Sequence, residues 1–288
     1  MHQLKRAWGA TWRILAFVLL WSVLLIPSIA FIGSEPGEGL GRGLQLFLEL
    51  FGLAAVLLAA GAMLRFADRR TFRSLGFAPA RAGWDLLLGL LLGGAMITLA
   101  LVLAQLAGWS EWLPGTGFSW SVLGVLALLV LVNSITQEVL VRGYILQTIE
   151  RSFGGLTAVL VSSLVFTGLH AGALVEGGIL AGFNLFAAGL LLGLAFTTTR
   201  NLWLPIALHF SWNLLQGPVL GVAVSGQALD GGWKLVRLDG PSVFTGGAFG
   251  LEGGLLGTTA TVSGIVALLF LRRWSTTDRR GGAGERES

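Results

Sequence analysis

The sequence predicts an all-α fold, a polytopic membrane bundle of about eight transmembrane helices with both termini cytoplasmic, and three observations lead there. Charged residues make up 12% of the 288 and hydrophobic residues 54%, against roughly 25% and 45–50% in soluble domains, so the chain cannot cover itself with a water-facing surface. Its mean hydropathy is +0.79. The 43 glycines follow no three-residue period and lie inside apolar runs, where they let helices approach closely. Apolar stretches recur along the whole chain at about the length a hydrocarbon layer of roughly 30 Å requires.

These stretches fall at 11–32, 44–66, 83–108, 119–149, 156–171, 178–199, 202–224 and 251–273. The fifth is short, and is assigned as a span because the distribution of charge needs the chain to cross there. Starting from a cytoplasmic N-terminus, Lys5, Arg6 and Arg13, the segment from Arg65 to Arg81, Arg142 and Arg151, Arg200, and the arginines from Arg272 onward all lie inside. Of the 19 basic residues, Arg42, Lys234 and Arg237 remain outside, as the positive-inside bias expects. The first span is too long for a signal peptide and lacks its small-residue cleavage site. Residues 1–274 read as one domain with a motif core at 119–224, and 275–288 as a disordered, charged cytoplasmic tail.

Composition excludes much. With no cysteine there is no disulfide framework, thiolate zinc site or cysteine nucleophile. The basic stretch Arg65–Arg81 reads as an ordinary inner loop facing lipid headgroups, so no nucleic acid is expected as a partner. Two motifs for hydrolytic chemistry are missing: no histidine begins His-Glu-x-x-His, and the single tyrosine, Tyr144, precedes Ile, so there is no Tyr-Asp pair.

Ionisable groups deep in apolar spans are costly and mark function by default. Glu49 and Asp85 lie near span ends and read as interfacial. Glu138, Arg142, His170 and His209 do not. Glu138 and Arg142 stand at i, i+4 on one helical face, where carboxylate and guanidinium can pair. His209 and Asn213 repeat that spacing, so an imidazole and a carboxamide can reach one water, metal or substrate carbonyl. Counted from the inner span ends at about 1.5 Å per residue, these groups lie about 10 to 21 Å deep. Three helices therefore bring polar groups to one layer, which favours a water-activating site over isolated structural pairs.

The motifs Gln137-Glu138-x-x-x-Arg142-Gly143-Tyr144, Phe166-x-x-x-His170 and His209-x-x-x-Asn213 resemble the three signatures of the CAAX-protease and bacteriocin-processing (CPBP, or Abi) intramembrane proteases: Glu-Glu-x-x-x-Arg, Phe-x-x-x-His and His-x-x-x-Asn/Asp. The resemblance runs from Gln137 to roughly Gly257. It implies an endopeptidase acting on a membrane-delivered peptide or protein, with its site inside the bilayer and open to the cytoplasm. It further implies that His170, His209 and Asn213 ligate or position the attacking water and that Arg142 partners a motif glutamate. A Gly-, Arg- and Trp-rich chain without cysteine looks bacterial, which implies a multi-pass protein of the plasma membrane. Oligomeric state is not legible.

One position departs. The first motif glutamate, thought to be the water-activating base in the family, is Gln137 here, and a carboxamide cannot accept that proton. Either Glu138 takes over as base while Gln137 holds the water, or the chain is a catalytically impaired protease-like scaffold, immunity or regulatory protein. Neighbouring helical residues point about 100° apart, so the first reading requires a local distortion of the fourth span. Glu138, His170 and His209 also form a plausible zinc set, although a glutamate-and-histidine water site needs no metal, and both stay open. Gly89 with Gly93, Gly189 with Gly193 and Gly253 with Gly257 suit tight helix contacts. Glu252, in Gly250-Leu251-Glu252-Gly253, reads as a gate or structural cap.

Overall fold

A computed structural model describes residues 2–32, 41–115, 119–229 and 233–284. Each of the eight apolar stretches folds as helix. The order is α1 (His2–Ile32), α2 (Arg42–Ala62), α3 (Ala82–Leu106), α4 (Trp120–Glu138), α5 (Gln147–Phe153), α6 (Gly155–Leu169), α7 (Ala171–Thr199), α8 (Trp203–Leu214), the single turn α9 (Ser242–Thr245) and α10 (Leu255–Gly284). Six helical segments among the described residues are long and apolar enough to cross a membrane, and the protein is a multi-pass, all-α membrane bundle. The two shorter ones are α6 and α8, of 15 and 12 residues, so the count of eight is met in helices but not in full-length spans.

Breaks in the helices follow local chemistry. Pro205 is tolerated in the first turn of α8 because no intrahelical N–H is needed there. Gly178 takes φ +70 and ψ −166 inside α7 and breaks its helical path. Between α4 and α5 the chain runs on as a π-helix, Val139–Leu146, a wider turn that recurs at functional sites. α10 extends to Gly284, into the stretch predicted as a disordered tail, because a helix already nucleated in its apolar part adds residues at little cost. Residues 285–288 lie outside the described residues.

Glycine sets the closest helix contacts. On α3, a Cβ at Gly89 would stand 2.7 Å from both Ala207 Cβ and Leu204 O of α8, and one at Gly93 2.8 Å from Ser211 Cβ. On α7, a Cβ at Gly189 would stand 2.8 Å from Ser163 Cα of α6. The third pair, Gly253 and Gly257, differs from expectation: it packs against the turns just before α10, at Gly246 and Leu251. Gly89→Ala should therefore separate α3 from α8 and lower stability by about 1–3 kcal/mol. Thermal unfolding in detergent would read the loss, and an unchanged midpoint would show the contact to be slack.

At the arginine-rich end, residues 63–81 fold back on the bundle. Arg13 Nε meets Asp68 at 3.0 Å, Arg70 Nη2 donates to Gln147 Oε1 at 2.9 Å, and Gln147 Nε2 donates to Leu75 O at 2.9 Å. Asp85, read as interfacial, sits in the first turn of α3, where it is fully buried within the protein and accepts a bond from Asn201 at 3.2 Å. At the opposite end, β1 (Ser110–Trp112) pairs antiparallel with β2 (Val236–Leu238), and Arg237 bridges Glu111 and Asp239.

Candidate functional site

The end of α4, the π-helix after it and α8 bring three of the predicted residues into contact. Glu138 and Arg142 are fully buried, and Arg142 Nη1 donates to Glu138 Oε1 at 3.0 Å. The same oxygen lies 3.0 Å from His209 Nδ1. With Glu138 ionised, that nitrogen carries the proton and donates, which leaves Nε2 as the acceptor of a neutral ring. Arg142 Nη2 also donates to Gly189 O at 3.0 Å, a carbonyl that becomes reachable because Gly189 lets α7 press on α6. Glu138 Oε2 and Arg142 Nε are buried without a hydrogen-bond partner among the described residues.

Phe166 is the hub of the second motif. Its ring lies 4.7 Å beneath the Arg142 guanidinium, 4.8 Å from the His170 ring and 5.8 Å edge-on to His209, so it fixes three polar groups by cation–π and aromatic contact. His170 sits at the break between α6 and α7, with non-helical φ −103 and ψ 21. Its Nδ1 is 2.9 Å from Phe166 O. A carbonyl can only accept, so Nδ1 donates and Nε2 is left as an acceptor.

A cavity of about 60 Å³ opens between these groups, walled by His170, His209, Asn213, Phe166, Trp212 and Glu252 together with apolar side chains of α3, α7 and α8 and with Gly257 and Thr261 of α10. Its volume suits a small cluster of water. A larger cavity of about 630 Å³ adjoins it, lined by Arg42, Gln45, Glu49, Asn133, Asn213 and Gln227 among others. Asn213 is common to both. The larger cavity lies between the first turns of α2 and the middle of α4, away from the arginine-rich segment 65–81, whereas the resemblance implies an opening on the side that the charge distribution predicts to be cytoplasmic.

The two polar residues that open the first motif, Gln137 and Glu138, stand off the smaller cavity. Gln137 turns towards α2: its Nε2 donates to Asn133 Oδ1 at 2.8 Å, and Asn133 Nδ2 donates to both oxygens of Glu49 at 3.2 and 3.3 Å. Among the described residues no group of three or more His, Asp or Glu is arranged to hold a metal ion. His209 gives its Nδ1 to Glu138 and His170 gives its Nδ1 to Phe166 O, which leaves each Nε2 free to accept from a water or to ligate a metal ion, while Glu138 stands behind His209 and off the cavity wall.

Residues 118–215, which contain all three motifs, match the family model described as Rce1-like, type II CAAX prenyl endopeptidase Rce1-like. Over those residues the chain is similar to the type II CAAX prenyl endopeptidases. The match takes in about a third of the chain and ends just past Asn213. No curated protein and no solved structure matches.

The sequence alone places Glu252 at the mouth of the last span, as a gate or structural cap, and not within this site. Glu252 lines the same cavity as both histidines. Its Oε1 accepts from Trp212 Nε1 at 3.1 Å, and its Oε2 accepts from Ser225 N at 2.6 Å, Gln216 Nε2 at 3.3 Å and Ser225 Oγ at 3.4 Å. Gly250 makes the turn that delivers it: φ is +89, and a Cβ there would collide with Ala223 O. The available signal was a carboxylate inside a glycine-rich apolar run, but the run is separated from His209 by the long connection between α8 and α10.

Proposed function

We propose that this protein is an intramembrane endopeptidase that hydrolyses a peptide bond of a membrane-delivered peptide or protein, working in a bacterial plasma membrane. The observation that carries the proposal is the chain Arg142–Glu138–His209, which ends on a water-sized cavity shared with His170 and Asn213. A buried carboxylate bonded to imidazole Nδ1 fixes the tautomer and favours the imidazolium, the logic of a general base held by an acid. Glu138 is thus a positioning residue, and Arg142 balances its charge.

In the proposed step, a water donates to His170 Nε2 and His209 Nε2. Its oxygen bonds to the scissile carbonyl carbon as the carbonyl π bond breaks, and its proton passes to His209. The oxyanion is met by the Asn213 carboxamide, a donor of the oxyanion-hole kind. Collapse breaks the C–N bond, and His209 returns the proton to the leaving amine. The net change adds one water across the peptide bond.

Cleavage of a membrane-peptide library by the purified protein in detergent tests the proposal. Wild type should cleave, and Asn213→Ala should lower kcat by about 10²–10³. Because no metal enters the proposed step, cleavage should survive treatment with a strong chelator; loss that zinc restores would refute the metal-free step. A silent wild type that gains activity on Gln137→Glu would favour instead the impaired, protease-like scaffold.

A further inference from the structure

We infer that Glu252 makes the site cavity a subsite for a primary ammonium group, so that preferred substrates carry a lysine next to the scissile bond. The lysine assignment rests on the peptidase reading above; the ammonium subsite does not.

The argument is one of charge and size. The ionisable groups on the cavity wall are His170, His209 and Glu252. Glu252 meets only neutral donors, from Trp212, Gln216 and Ser225, and forms no ion pair among the described residues. The nearby cation, Arg142, is committed to Glu138 and does not line the cavity. A carboxylate unpaired in apolar surroundings is costly unless a proton neutralises it or a cation completes it, and with neutral imidazoles the wall supplies no cation. Oε1 has a single partner, so it keeps a lone pair for a further donor.

The rest of the wall suits an alkylammonium. Leu185, Ala188, Leu191, Leu192 and Leu208 line it and can sheathe a methylene stem, as apolar surfaces do for lysine. About 60 Å³ leaves room beside the attacking water for a compact ammonium more readily than for a planar guanidinium. The ammonium could come from a lysine side chain or from a free peptide N-terminus, and the two differ in whether acetylation removes it.

The test uses N-acetylated peptides with Lys, Arg, norleucine or Glu beside the cleaved bond, and n-butylamine against n-butanol as probes of thermal stabilisation in detergent. Lysine should exceed norleucine in kcat/KM by about tenfold or more, and Glu252→Gln should bring that ratio towards one. The amine, and not the alcohol, should raise the wild-type melting temperature, with the shift lost in Glu252→Gln. If that variant fails to fold, the two wild-type comparisons decide alone. Cleavage with equal lysine and norleucine rates and no amine shift overturns the subsite and leaves the peptidase standing. An amine shift that needs Glu252, in a protein that cleaves nothing, keeps the subsite and overturns the peptidase. A preference for free N-termini over acetylated lysine peptides keeps the ammonium and overturns the lysine assignment.

Discussion

His209→Ala is expected to lower kcat by about 10²–10⁴, the contribution of a positioned general base, while the melting temperature stays close to wild type. His209 is the point at which the buried charge of the bundle meets the cavity. Its Nδ1 takes the Glu138 carboxylate at 3.0 Å, and its ring shares the cavity wall with His170 and Asn213. Removing the ring deletes the group proposed to hold the water's proton but leaves Glu138 paired with Arg142. Glu138→Gln should lower kcat in the same direction at little change in KM, because the imidazolium then loses the charge that stabilises it. Single-turnover cleavage of one identified peptide would read both. Retention of His209→Ala activity within a few-fold of wild type would remove His209 as the base.

The largest effect on stability is expected at Arg142. Arg142→Met keeps much of the side chain's length but leaves the Glu138 carboxylate buried without its cation and the Gly189 carbonyl without its donor. Breaking a buried pair from one side costs about 3–5 kcal/mol, whereas replacing both partners with uncharged groups costs far less. The double variant Arg142→Met with Glu138→Gln should therefore recover a large part of the loss. Unfolding in mixed micelles would measure the cycle. A double variant no more stable than Arg142→Met would mean that packing of the long side chain against Phe166, not charge, carries the effect.

Helices were legible where physics is local. An apolar run in a chain with 12% charge has to satisfy its backbone internally, and only a helix does so within one segment. The pairing of Glu138 with Arg142 was legible for the same reason, since i, i+4 fixes their separation along the helix. Contacts between segments were not legible in this way. Asp85 lies near a span end, as the sequence indicates, but its burial against Asn201 of the α7–α8 turn is a contact that no single segment shows. Gln137 and Glu138 are neighbours, but one faces Asn133 and Glu49 and the other His209, as the 100° between them dictates once the rotation of α4 is set.

The sequence by itself determined the solvent, the helices and the identities of the polar groups that a membrane would force together. Those follow from composition and period, which need no knowledge of partners. Only the tertiary structure decided which groups meet: that His209 closes on Glu138, that His170 ends its helix beside Phe166, and that Glu252 crosses the sequence from beyond the α8–α10 connection to face both histidines. These contacts depend on how close helices come and how each is rotated. That is set by where glycine removes a side chain from the interface, a property of pairs of helices that no single segment carries.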